Sequence, residues 1–165
     1  MILGIIFEII ALYYQYQLDY YPCVLCIHVR LGVLGFILIA ILAMIFKHLK
    51  AMVAISHLLV SLDFLWLLHR SYLLLGTERG FIESACTMEP GFPQWFAIDI
   101  WFPAVFQVWE PCGYTPELFW GITMAEMLLI FTMVMSLSAI VLAVFYIKYQ
   151  FFENSIHDRD SKGTG

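Results

Sequence analysis

Charged residues are scarce in this chain. Asp, Glu, Lys and Arg make up 13% of its 165 residues, about half the 25% or so of a soluble domain. That scarcity excludes a water-soluble globule. So short a chain cannot hide the apolar side chains that form 62% of it, because small domains bury a smaller share of their surface. Disorder is excluded as well, since it needs high charge and few large apolar groups. Positive charge is scarcer still. Eight Lys and Arg against thirteen Asp and Glu give a formal charge of -5, which offers no footprint for nucleic acid. No basic stretch precedes the first apolar run, and no small-x-small cleavage site follows before Cys23. Those residues therefore read as a retained helix rather than a leader. No glycine-rich nucleotide fingerprint is present, and no internal repeat suggests a transporter.

What remains is long apolar runs. A bilayer core about 30 Å thick needs roughly 20 apolar residues in a helix. Four stretches fit, at about 2–21, 24–46, 51–75 and 119–147. Runs such as LGVLGFILIAILAMIF do not alternate, so a membrane β-barrel is a poor reading. The expected fold is an all-α, four-transmembrane-helix bundle forming one membrane domain over 1–154, followed by a flexible polar tail at 155–165. The second and third spans are joined by the short basic turn KHLK, the third and fourth by a long loop at 76–118. Lys47, Lys50, Lys148, Arg159 and Lys162 fall on one side, and Arg30, Arg70 and Arg79 on the other. That bias places KHLK and both termini in the cytoplasm. The long loop reads FPQWFAIDIWFPAVFQVW in its middle, with Pro93 and Pro103 dividing it. So apolar a segment either lies in the membrane interface with its Trp side chains at headgroup depth or packs on the helix ends as a lid.

Four cysteines allow three pairings. Cys23 and Cys26 form CVLC where the second span opens, and Cys86 and Cys112 lie in the long loop. All four fall on the outer side, where disulfides persist. A zinc site fits poorly, because the loop cysteines are too far apart to form a second CxxC. A purely structural pair of disulfides stays open beside a redox role. The redox reading is favoured because CVLC follows Pro22 at a helix start, whose free N–H groups and dipole stabilise a thiolate. Arg30 stands four residues beyond Cys26, on the same helix face. Its charge can favour a Cys26 thiolate and an anion forming on an acceptor, or it can snorkel to headgroups. Thiol–disulfide exchange could pass electrons from the loop pair to the helix pair, with a lipid-soluble quinone as sink.

The stretch ALYYQYQLDYYPCVLCIHVRLGVLG, Ala11 to Gly35, resembles the bacterial inner-membrane disulfide bond formation protein B family in its PCxxC, in Arg30 and in the placing of Glu8. The stretch ACTMEPGFPQWFAIDIWFPAVFQVWEPCG resembles that family's outer loop with its second cysteine pair. The resemblance implies a protein-dithiol:quinone oxidoreductase of the bacterial inner membrane. Cys86 would be attacked by a reduced periplasmic thioredoxin-like disulfide oxidase. Cys112 would then attack Cys23, and Cys26 would face a ubiquinone or menaquinone drawn from the membrane pool. Arg30 would stabilise the thiolate and the reduced quinone. The sequence departs from the pattern at His28, where an aromatic is common, and at Ala125–Glu126–Met127, where a Pro-x-Trp element often stands.

Other polar residues interrupt the spans. Glu8, Asp63 and Glu126 are expected to face other helices, with interhelical hydrogen bonding ahead of a proton route. His69 and Arg70 fall near the depth of Cys26, and His69 is the candidate to border the quinone. His57 lies deeper and reads as a packing residue. The vitamin K epoxide reductase group works similarly but places its membrane CxxC late in the chain, whereas CVLC comes early here.

Overall fold

The computed structural model describes residues 2–82, 91–110, 117–119 and 121–163, without the side chains of 94, 117–119 and 153–163. Helix α1 spans Ile2–Gln17, α2 Val24–Ile45, α3 Lys50–Glu78 and α6 Met124–Gly163. Between α3 and α6 lie a 3-10 turn at Gln94–Phe96, two four-residue helices, α4 (Ile98–Trp101) and α5 (Pro103–Phe106), and the strands β1 (Glu117–Phe119) and β2 (Ile122–Thr123). Among the described residues, three helices are long and apolar enough to cross a membrane: α2, α3 and the Met124–Phe152 part of α6. The chain is a helical membrane protein. The first of the four expected spans is shorter than anticipated, because α1 ends at Gln17 rather than near Tyr21. Asp19 there adopts φ 53°, a left-handed conformation that Asp tolerates, and Tyr20 N donates back to Tyr14 O at 3.2 Å.

The other boundaries also have local causes. Cys23 is the N-cap of α2, extended at φ -83° and ψ 171°, with its sulfur accepting from Cys26 N. Helix α3 runs past the expected Leu75 to Glu78. It stops where Gly80 takes φ 76°, with Phe81 N bonded to Gly76 O and Gly80 N to Thr77 O, the two bonds of a Schellman motif. Span four starts at Met124, five residues later than expected. Gly121 at φ 76° turns the antiparallel hairpin β1–β2, and a capping box then opens α6. Thr123 Oγ1 accepts from Glu126 N at 3.4 Å while Glu126 Oε2 accepts from Thr123 N at 3.2 Å. The helix backbone continues to Gly163, through the region expected to fray from Ser155. No proline or glycine interrupts the sequence between Gly121 and Gly163.

Helix α3 packs against α2 and α6, and α1 packs against α2. Leu25 and Val29 of α2, Phe64, Leu67 and Leu74 of α3, and Ala125, Leu128 and Ala139 of α6 form the core. Gly32 lets α2 and α3 approach, since a Cβ there would lie 2.5 Å from Leu67 Cδ2. Buried hydroxyls satisfy themselves within their own helix, as Ser61 does on His57 O, Ser71 on Leu67 O and Thr132 on Leu128 O. They add small side chains to the seams, as helix interfaces in lipid require. The outward faces of α1, α2, α3 and α6 carry large exposed apolar groups, the surface that lipid covers.

The loop segment 91–110 lies on one flank of α2. Ile98 and Phe106 bury against Ile27, which is 0% exposed. Trp95, Ile100, Trp101 and Phe102 point away from the bundle, Trp95 at 78% exposure. One face thus serves as a lid, and the opposite face presents apolar groups outward.

Candidate active site

The α2 N-terminus places Cys23 and Cys26 one helical turn apart, with their sulfurs 2.8 Å apart. A modest closure would reach the roughly 2.0 Å of a disulfide bond. Cys23 is buried and Cys26 partly so. The hydrogen bond to the Cys26 sulfur, and then burial, hold the Cys23 thiol above the usual cysteine range. Cys23 therefore keeps its proton when the pair is reduced.

Both cysteines line a cavity of about 90 Å³ between α1, α2, the Leu74 end of α3 and the Met124 end of α6. Arg30 and Glu8 line it too, with Tyr14 and Leu74 among the flanking groups. Arg30 is 7% exposed, so it does not snorkel to the surface. Its Nη1 donates to Gln15 Oε1 at 2.5 Å and to Val105 O at 3.0 Å, and its Nη2 donates to Ala11 O at 3.1 Å. All three acceptors are neutral. The guanidinium charge therefore stays available to the cavity, within electrostatic reach of Cys26 and Glu8. A buried dithiol, a fixed cation and apolar walls suit a flat acceptor whose oxygens gain negative charge on reduction.

The structure brings Cys23, Cys26 and Arg30 together. Cys86 and Cys112 lie outside the described residues. His69 does not join the site. It is exposed on α3 and absent from the cavity lining. Leu67, Ser71 and Leu74 mark the buried face of that helix, and a step of two residues from Leu67 turns a side chain by about 200°. Arg70 lies 5.1 Å from the Trp66 ring centroid. Asp63 stands against Gly35 across the α2–α3 seam. Glu126 is not buried within a span: it caps α6 and pairs with Arg79. His57 stacks on Tyr146 at 4.9 Å and 4°, away from the cysteines.

Two residues matter more than sequence reasoning allowed. Glu8 faces the cavity directly. Gln15, which reads in the sequence only as a polar interruption, is 6% exposed and joins Arg30 to the loop through Ala104 O at 3.0 Å. Its sole sequence signal is that it is one of three polar interruptions of this helix, with Glu8 and Gln17.

Helical spans and a dithiol at the start of one of them, beside a buried arginine, define a membrane thiol redox protein. A family model described as Disulfide bond formation protein DsbB matches residues 1–142. A protein of Shewanella sp. (strain MR-4) named Disulfide bond formation protein B is 31% identical over 128 residues, covering 77% of this chain and 73% of its own. Its namesake in Pseudoalteromonas translucida (strain TAC 125) is 28% identical over 125 residues, covering 73% of each chain. The chain belongs to the disulfide bond formation protein B family. It is a membrane oxidoreductase of disulfide formation.

Proposed function

We propose that the protein reoxidises a periplasmic thioredoxin-like dithiol oxidase and passes the electrons to a membrane quinone, ubiquinone or menaquinone. The observation that supports this most is that Cys23, Cys26 and Arg30 line one cavity. In this reading α1 is the fourth span, both termini are cytoplasmic, and the chain sits in the bacterial inner membrane with its cysteines on the periplasmic side.

The exchange runs as follows. A thiolate of the reduced partner attacks Cys86 of a Cys86–Cys112 disulfide and forms a mixed disulfide, freeing Cys112. The partner's second thiol closes its own disulfide and releases Cys86. The Cys112 thiolate attacks Cys23 of the Cys23–Cys26 disulfide and releases Cys26. Cys86 then closes on Cys112 and leaves the helix pair reduced. A quinone bound beside Cys26 supplies the two-electron acceptor. Arg30 stabilises negative charge at Cys26 and at the acceptor oxygen, while Leu74 and the flanking aromatics keep water out. Per cycle one dithiol becomes a disulfide and one quinone becomes a quinol, with two electrons and two protons transferred.

The test uses purified protein, a reduced thioredoxin-like oxidase and a short-chain ubiquinone analogue, followed by quinone absorbance. Cys26→Ser should lower turnover by at least about a thousandfold. If the cysteines only tie loops together, the wild-type protein will not consume quinone.

A further inference from the structure

We propose that Gln15 is a positioning residue that sets Arg30 for the acceptor and makes that setting depend on the seating of the outer loop; this rests on the quinone reading above. The side-chain amide of Gln15 lies between two groups that permit one orientation only. A guanidinium has no acceptor, so Oε1 must face Arg30. A backbone carbonyl has no donor, so Nε2 must face Ala104. The bonds are 2.5 Å to Arg30 Nη1 and 3.0 Å to Ala104 O.

Arg30 Nη1 also donates to Val105 O, the neighbouring loop carbonyl, at 3.0 Å. Arg30, Gln15 and the backbone at Ala104–Val105 therefore close a ring of hydrogen bonds that joins α1, α2 and α5. Its two side chains are withdrawn from solvent, Gln15 at 6% and Arg30 at 7% exposure, while the loop backbone that closes it is half-buried at Val105 and exposed at Ala104. A buried amide with both ends engaged is costly to leave half satisfied. Displacing the loop removes two of these bonds at once, and the guanidinium must then swing to find new acceptors.

Gln15 does not line the cysteine cavity. It lines a separate outer groove together with Tyr16, Pro103, Ala104 and Trp109. It thus stands between the loop face and the acceptor site. Tyr16 is the natural control, because its hydroxyl donates to the same Ala104 carbonyl at 2.6 Å without a hydrogen bond to Arg30.

The experiment measures steady-state KM for a short-chain ubiquinone analogue, and separately KM for dithiothreitol as electron donor, in the full-length protein. Gln15→Leu should raise the quinone KM by about tenfold and leave the dithiothreitol KM within about twofold. Gln15→Leu combined with Arg30→Met should be no worse than Arg30→Met alone, since both remove one interaction. Tyr16→Phe should leave the quinone KM within about twofold.

A Gln15→Leu quinone KM at the wild-type value overturns the proposal. So does a double variant whose effects multiply, or a Tyr16→Phe variant that matches Gln15→Leu. If Gln15→Leu fails to fold, Gln15→Glu replaces it. Its carboxylate holds and neutralises Arg30 but has no donor for Ala104, so the quinone KM should rise and Arg30→Met should add nothing. An unchanged KM in Gln15→Glu overturns the proposal equally. Should Arg30→Met and Cys26→Ser both leave quinone kinetics untouched, the acceptor reading itself falls. Should they impair them while Gln15 variants do not, only the role of Gln15 falls.

Discussion

The two ends of the bundle satisfy their polar groups in different ways. At the Cys23 end, side chains bond between elements: Arg30 with Gln15 and Val105, Gln15 and Tyr16 with Ala104, Arg79 with Glu126, and Thr123 with Glu78. Toward the Lys50 end, Ser56, Ser61, Ser136 and Ser138 return their hydroxyls to their own helices, and Tyr146 reaches a second helix, its hydroxyl donating to Lys50 O at 3.4 Å. A bond within one helix holds no second element in place. A bond between elements fixes a geometry, and that is what a reacting pair of sulfurs requires. The Cys23 end, which carries more of the bonds between elements, is therefore built for position, and the other relies chiefly on close contact of small and apolar side chains.

Three measurements sharpen this contrast. The largest effect is expected from Arg30→Met, which strands three acceptors and removes the cation. It should lower kcat/KM for the quinone analogue by about a hundredfold and expose residues 98–109 to protease. An unchanged cleavage pattern would show that the loop is held without Arg30, by the packing of Ile98 and Phe106 and the bonds to Ala104.

Gly32→Val comes next. The added side chain meets Leu67 in a closed seam, which should reduce stability by about 2 kcal/mol, read by denaturing-detergent titration in mixed micelles. Leu67→Ala in the same chain should restore part of that loss. No recovery would mean that the α2–α3 approach is not the limit.

The smallest effect belongs to Glu126→Gln. Its bridge to Arg79 joins elements but lies at the surface, where ion pairs contribute little. Turnover should stay within about twofold of wild type and the unfolding midpoint should not move measurably. A loss as large as that of Arg30→Met would show that outer-end position depends on this pair too.

The dithiol and Arg30 were legible because their relation is local: helical spacing alone puts Cys26 and Arg30 on one face. Gln15 was not, because its partner is a backbone carbonyl 89 residues away, and carbonyls carry no sequence signature. The end of α1 was misjudged for a related reason. Tyr20 and Tyr21 carry the aromatic run beyond Asp19, as at the end of a span, while the turn depends on one left-handed residue. The start of α6 could have been found, since Thr123 and Glu126 spell a capping box. By hydropathy alone, Glu126 reads instead as a charge within a span. His69 shows that equal depth along a helix does not mean an equal face.

The unbroken course of α6 has a mechanical consequence. Forty residues of helix measure about 60 Å, against a hydrocarbon core of about 30 Å. The surplus beyond Phe152 acts as a handle. Each residue added or removed there should turn whatever is fused after Gly163 by about 100° around the helix axis, leaving the packed half untouched. That gives an adjustable mount for a probe or a rigid fusion partner.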